Sequence, residues 1–156
     1  MKKSILKKGM IGALIVFLIG GSYGFYLYNM PHRDVQSVKP FVEISSSAFV
    51  QESLNDPEAT NEKYLADDGE SKVIIVTGNI YSITEDQLGQ KVILLKEEGE
   101  QMGVSCTFME STNANAQNLK KGDQVKIKGV VRSGAEYDEN LDLAEDAILE
   151  KCDIVI

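Results

Sequence analysis

The sequence contains no tryptophan, one histidine and two cysteines among its 156 residues. So few imidazole and thiol groups exclude metal sites that are built from several such ligands. The sequence also contains no phosphate-binding loop, no nucleophile elbow, no His-x-x-x-His helix and no dinucleotide fingerprint. It therefore predicts no catalytic residue, no metal site and no cofactor, and it indicates that the protein is not an enzyme.

Basic residues are scarce as well, and they are unevenly distributed. Sixteen Lys and Arg residues stand against 24 Asp and Glu residues, for a formal net charge of -8. Four of the lysines precede residue 9, where no acid occurs, so 12 bases and 24 acids remain from Asn29 onward. A domain with this charge repels phosphate backbones, which argues against nucleic acid as its partner.

One long run, residues 9–28, contains no charged side chain. At about 1.5 Å per residue a helix of this length reaches about 30 Å, the thickness of the hydrocarbon core of a bilayer. Lysines precede the run and an acid-rich chain follows it, which is the pattern of a cytoplasmic N terminus. The sequence predicts a cytoplasmic basic segment over residues 1–8 and a transmembrane anchor over residues 9–28. The protein would cross a bacterial inner membrane once, with its C-terminal domain outside the cytoplasm.

Other interpretations of this run stay open. Residues 10–19 are short enough for the apolar part of a cleaved signal peptide, and Gly20 and Ser22 are small residues at a suitable cleavage spacing. A buried helix of a soluble protein would need cover on three sides from a small remaining chain. No cysteine follows the run directly, so a lipid-modified N terminus lacks its acceptor. The anchor and the signal peptide both place the domain outside the cytoplasm.

Local patterns divide the rest of the chain into a stalk, short helices and strands. Residues 29–45 mix proline with polar residues, which predicts a stalk ahead of a domain over residues 46–156. Three serines from Ser45 and the Asp56-Pro57 pair are start signals for two short helices. From Lys72 the apolar period is two. The predicted strands are Val73–Ile83, Gly89–Leu95, Val104–Phe108, Val125–Val131 and Ala147–Ile156, with a bulge at Gly78 and a short helix over Thr112–Leu119.

The order of these elements predicts the fold class. Five strands in a curved pattern, with one helix between the third and the fourth, are the element order of the OB-fold. We therefore expect a mainly β protein, a five-stranded OB-fold barrel with short N-terminal helices, preceded by a transmembrane helix. A different small barrel or an open roll stays as the alternative.

Short motifs in the same region resemble a known family. The motifs are Lys63-Tyr64, Val76-Thr77-Gly78, Gly103-Val104-Ser105-Cys106, Lys121-Gly122-Asp123-Gln124-Val125, Lys128-Gly129 and Leu149-Glu150-Lys151-Cys152. In order and spacing, from about Val42 to Ile156, the chain resembles the tRNA-anticodon-binding-like OB domains of bacterial membrane-attached or exported proteins. The resemblance implies an OB-fold and, through the family name, nucleic-acid binding by analogy of fold alone. The loop over residues 133–146 departs from a nucleic-acid binder, because it holds six acids and no base.

Together these observations predict a binding module. We expect the ligand to contact Tyr81, Lys126, Lys128, Arg132 and Tyr137, whose side chains should point away from the core. The favoured ligand is a protein or an envelope polymer, bound without chemical change. The alternative is an oligonucleotide, which the family name and the same three bases suggest. An enzyme is the third class of function. It would need a set of polar catalytic side chains, and the sequence does not contain a pattern of this kind.

Three smaller features have both a structural and a functional interpretation. Cys106 and Cys152 fall on neighbouring strands of an OB-fold, so they form either a disulfide in an exported compartment or two buried free thiols. Residues 138–142 resemble the first half of a calcium loop, but Leu143 and Leu149 replace the glycine and glutamate of the second half, which favours a solvated acidic loop. Residues 120–122 have the pattern of a helix end and a tight turn rather than of an anion site.

Overall fold

The computed structural model describes residues 19–25, 34–66 and 70–155. The chain divides into two units, with the boundary between Arg33 and Asp34. In the first unit, residues 19–25 are helical. The predicted cytoplasmic segment 1–8 and most of the predicted span 9–28 lie outside the described residues. Within the described part, no helix combines the length and the apolar character that crossing a membrane requires.

The second unit contains two helices, a single 3₁₀ helix and eight strands in its described residues. In chain order these are β1 (Glu43–Ser45), α1 (Ser46–Asn55), α2 (Pro57–Tyr64), β2 (Val73–Glu85), β3 (Lys91–Leu95), β4 (Val104–Phe108), the 3₁₀ helix (Asn113–Ala116), β5 (Gln124–Ser133), β6 (Glu136–Asp138), β7 (Leu143–Glu145) and β8 (Ala147–Ile154).

Five of the strands close into a barrel. The order is β2-β3-β4-β8-β5, and β5 pairs back onto β2. The pair β4 and β8 is parallel, whereas the other four pairs of the barrel are antiparallel. This is the strand arrangement of an OB-fold, so the predicted mainly β barrel is confirmed.

Alternation of side chains builds the barrel interior. Val104, Cys106 and Phe108 of β4 are buried, and so are Val125, Ile127 and Val131 of β5. Their neighbours Ser105, Thr107, Lys126 and Lys128 point outward, because successive side chains of a strand lie on opposite faces. From Lys72 onward, apolar residues recur at every second position of the sequence, and these are the residues that form this core.

The ends of five predicted elements differ from the structure. The first and fourth barrel strands are longer than predicted, at Val73–Glu85 and Gln124–Ser133. The second barrel strand begins at Lys91 instead of Gly89, because Gly89 lies in a turn with a φ of 75°. In that turn the Asp86 carboxylate accepts the backbone N–H groups of Leu88 and Gln90, at 2.8 and 2.9 Å. The helix between the third and fourth barrel strands is a single 3₁₀ turn, Asn113–Ala116. The last strand ends at Ile154.

The predicted bulge at Gly78 is also corrected. Gly78 pairs in regular register with Val125, and the register of β2 shifts between Ile80 and Ser82 instead. Gly78 serves close packing, because a Cβ atom there would lie 2.6 Å from the Ser46 Oγ atom. The missing side chain lets the first turn of α1 pack on β2, and the bulge itself falls at Tyr81.

Residues 34–45, which the sequence assigns to the stalk, are part of the compact unit that begins at Asp34. Strand β1 pairs in parallel with β2, with Glu43 opposite Ile75. The Phe41 N–H donates to the Val73 carbonyl at 2.7 Å, and the Val35 side chain is fully buried. A three-residue edge strand produces no readable period, which is why the sequence pattern does not reveal it.

Candidate functional site

The five predicted contact residues occupy three different places on the barrel. Tyr81 lies at the bulge of β2, Tyr137 lies on β6, and the three bases follow one another along the outer face of β5. None of the five side chains is buried. Tyr81 and Tyr137 line two different cavities, and the three bases line neither of these. A role in binding for these residues stays a prediction.

The three bases of β5 are engaged by other parts of the domain. Lys126 forms an ion pair with Glu43 of β1, and the Lys128 Nζ atom donates to the Gln36 carbonyl at 2.7 Å. Arg132 is the most exposed, with its Nε atom 3.9 Å from the Glu150 carboxylate. Residues 34–45 thus engage two of the three bases, Lys126 and Lys128, whereas Arg132 faces Glu150 of β8.

The outer face of the second and third barrel strands is where OB-folds bind oligonucleotides. Here that face carries aliphatic and hydroxyl side chains, because the alternate residues Ile93 and Cys106 point into the core. The outward residues are Val92 and Leu94 of β3 and Ser105 and Thr107 of β4. None of these residues is aromatic or basic, so this face offers no platform for stacking bases.

A cavity of about 410 Å³ opens between the helices and the β6–β7 hairpin. We call it the hairpin groove. It is lined by Leu54, Pro57, Gln101, Met102, Ala135, Glu136, Tyr137 and Glu139. Gly134 brings the start of β6 close to α1, because a Cβ atom there would lie 2.8 Å from the Ser53 Oγ atom. The groove is therefore formed by close packing of the hairpin on α1.

The hairpin groove combines an apolar surface with negative charge. Leu54 and Tyr137 are each 38% exposed, while Met102 is nearly buried. The carboxylates of Glu136 and Glu139 belong to its lining, which contains no base. The Tyr137 hydroxyl donates to the Asp142 carboxylate at 2.5 Å, and this hydrogen bond raises the pKa of Tyr137.

The sequence did not predict the hairpin or the groove. The sequence pattern of residues 136–145 predicted a solvated acidic loop. In the structure, Glu136 instead pairs with Glu145 across a short antiparallel ladder. The Asp138 carboxylate accepts the N–H groups of Asn140 and Leu141, at 2.8 and 3.3 Å, and so closes the turn. In the described part of the chain, no group of three or more His, Cys, Asp or Glu residues is arranged to hold a metal ion.

A second cavity of about 380 Å³ surrounds Tyr81. The Nζ atoms of Lys96 and Lys121 lie 4.3 and 4.6 Å from the centre of the Tyr81 ring. The turn at Gly122, which has a φ of 93°, holds Lys121 there because the Gly122 N–H donates to the Ile80 carbonyl at 2.8 Å. The sequence identified Tyr81 as a contact residue, interpreted Lys121 as part of a helix end and turn, and gave no role to Lys96, since only barrel closure brings the three together.

Both cysteines are fully buried free thiols in the barrel interior. They lie on the adjacent parallel strands β4 and β8, as the OB order predicted, with Cys152 opposite Phe108. The pKa of the Cys152 thiol is raised well above its ordinary value by burial and by a hydrogen bond with Cys106. Of the two interpretations that the sequence left open, the structure contains the free thiols.

Comparison with known proteins identifies a family and a related fold. The sequence model of the tRNA_anti-like family matches residues 1–141. A lipoprotein of Klebsiella pneumoniae subsp. pneumoniae, to which nucleic-acid binding is provisionally ascribed, is 20% identical with a TM-score of 0.54, over 81% of this chain and 100% of that chain. At this identity the likeness concerns the fold alone.

A weaker structural likeness is to the Stn1–Ten1 complex of S. pombe. It is 16% identical with a TM-score of 0.36, over 56% of this chain and 61% of that chain, and a score this low carries no argument. No curated protein matches the sequence.

Proposed function

The chain belongs to the tRNA_anti-like family, and on that premise we propose that it is an exported, membrane-tethered OB-fold module that binds a protein segment in the hairpin groove. The observation that carries this proposal is the composition of the groove, an apolar and aromatic surface bordered by carboxylates and free of bases. The segment that fits it is extended or looped, with an apolar side chain beside a lysine or arginine.

Apolar contact would supply most of the affinity. Transfer of one large apolar side chain from water into a pocket contributes about 1.5 to 3 kcal/mol. Leu54, Met102 and Tyr137 provide the surface for such a side chain. A tyrosine suits this role because its ring buries apolar area while its hydroxyl stays hydrogen-bonded, here to Asp142.

Charge would select the partner. Glu136 and Glu139 line the groove, and the loop over residues 133–146 holds six acids and no base. Complementary charge accelerates association and rejects partners of the same sign. The groove therefore favours cationic segments and repels anionic envelope polymers and phosphate backbones.

We propose binding without chemical change, at the outer side of a bacterial inner membrane. The groove lining contains carboxylates and a phenol but no nucleophile beside a base. The tether would be the uncharged run 9–28, because the first cysteine of the sequence is Cys106 and a lipid-accepting cysteine would have to follow the run.

The test is peptide selection on the full-length protein in neutral detergent. A displayed library of random peptides should yield sequences that pair an aromatic or aliphatic residue with Lys or Arg. Tyr137→Ala and the double variant Glu136→Gln/Glu139→Gln should each weaken binding of a selected peptide by about tenfold. Leu88→Ala is the matched control, because Leu88 is 83% exposed on the β2–β3 loop and does not line the groove.

Two results would overturn the proposal. One is selection of peptides whose binding the groove variants leave unchanged. The other is salt-sensitive binding of a single-stranded oligonucleotide by the same full-length protein with no peptide bound, which would favour the nucleic-acid alternative.

A further inference from the structure

Two lysine side chains approach the ring of Tyr81 in the second cavity, which is separate from the hairpin groove. The Nζ atoms of Lys96 and Lys121 each lie within 5 Å of the Tyr81 ring centre, so the two ammonium groups are no farther apart than the sum of those distances. Like charges at such separations repel each other. Attraction to the ring offsets part of this repulsion. We call this arrangement the lysine clasp.

Neither lysine of the clasp forms an ion pair with any described residue. Four other bases do: Lys63, Lys91, Lys126 and Arg132. The carboxylates in the same cavity are Glu97 and Glu98. Both carboxylate oxygens of Glu97 accept from the Asn79 amide, at 3.1 and 2.8 Å, so Glu97 is held by a neutral partner. The clasp therefore keeps two positive charges that its neighbours do not use.

We propose that the lysine clasp binds a phosphate-type oxyanion. Each ammonium carries three N–H donors, and lysine binds phosphate as a point charge, without the fixed fork of arginine. Both lysines line the same cavity, so an anion bound there would be attracted by each of the two ammonium groups. The cavity of about 380 Å³ has room for a phosphate group with a substituent.

Two sources could supply such a group. One is free inorganic phosphate, and the other is the headgroup of an anionic phospholipid. The second source rests on the proposed tether, which would hold the domain near a membrane surface. Neither source depends on the hairpin groove, so the outcome of this test is separate from that of the peptide selection.

The experiment titrates inorganic phosphate into the full-length protein in neutral detergent, at constant ionic strength, and measures heat by calorimetry. For the second arm, the protein is first reconstituted in phosphatidylcholine nanodiscs. Its co-sedimentation is then measured with phosphatidylcholine vesicles that contain phosphatidylglycerol and with vesicles that lack it. Lys96→Gln and Lys121→Gln should each weaken binding by about tenfold. Glu98→Gln should strengthen binding. Among the described residues the Glu98 carboxylate has no partner, and the substitution removes its negative charge from the cavity.

Lys91→Gln is the matched control, because Lys91 is paired with Glu85 at 2.7 Å outside the cavity, and it should leave binding unchanged. Tyr81→Phe should retain binding, since it keeps the ring. Circular dichroism verifies that each variant is folded. Phosphate binding identifies the free anion, and binding to phosphatidylglycerol vesicles alone identifies the headgroup. Absence of both, or binding that both lysine variants leave unchanged, overturns the proposal.

Discussion

Single residues set the limits of what the barrel interior can contain. Gly129 faces Cys152, and a Cβ atom at that glycine would lie 2.6 Å from the Cys152 Sγ atom. The thiol of Cys152 thus fills space that a neighbouring strand leaves empty. Burial in this position raises the pKa of Cys152, because a thiolate loses its hydration there.

The raised pKa makes stability depend on pH in a defined direction. The folded thiol keeps its proton at pH values where an unfolded thiol, with an ordinary pKa of 9.0, loses it. The unfolded state therefore binds fewer protons, and the contribution of Cys152 to stability is complete below pH 9.0 and declines as pH rises above it. Urea unfolding under reducing conditions, from about pH 7 to about pH 10, should show this decline. Cys152→Ala should reduce the slope, and an equal slope in both proteins would contradict the assignment.

At the scale of elements, one residue joins the two helices that border the hairpin groove. Asp56 ends α1, where its N–H donates to the Glu52 carbonyl at 3.3 Å, and it begins α2, where its carboxylate accepts the Ala59 N–H at 3.0 Å. Pro57 follows at the first helical position, where no N–H is needed. Packing completes the junction, because the buried ring of Tyr64 meets the Phe49 ring edge-on at 5.3 Å.

Loss of this cap should be measurable. Asp56→Ala should lower the free energy of unfolding by about 1 kcal/mol, since it removes an acceptor for the first turn of α2. Asp56→Asn should cost much less, because asparagine caps helices about as well as aspartate. Chemical denaturation of both variants tests this expectation, which fails if the two substitutions have the same effect.

At the scale of the whole molecule, charge separates the chain into two parts. Four lysines precede the uncharged run, and 24 acids with 12 bases follow it. An anchor of this kind retains its positive end in the cytoplasm. In the function we propose, the OB-fold domain that follows would lie at the outer face of the membrane, where the groove would meet its partner.

The location of the chain can be tested directly in cells. The full-length protein should remain with membranes after alkaline carbonate extraction, and protease added to spheroplasts should digest the domain but not the N terminus. Leu14→Lys combined with Leu18→Lys should release the protein from the membrane fraction, because charged side chains are costly in the hydrocarbon core. Recovery of the unaltered chain in the cytosol would contradict the tether. A mature N terminus near Ser22 would instead identify a cleaved signal peptide.

Local sequence patterns were sufficient to predict the elements that depend on neighbouring residues. The alternation of Val104, Cys106 and Phe108, the helix start at Asp56, and the order of strands were all readable, because side-chain period and capping are local properties. The family resemblance was readable for the same reason, as it rests on short motifs in order.

How distant segments meet depends on the fold of the whole chain. Glu43 and Gln36 engage two lysines of β5, Met102 and Tyr137 line the same groove, and Lys96 and Lys121 both approach the ring of Tyr81. Each of these contacts joins residues that are far apart along the chain. Strand pairing and barrel closure bring such residues together, and no local pattern records which of them will become neighbours.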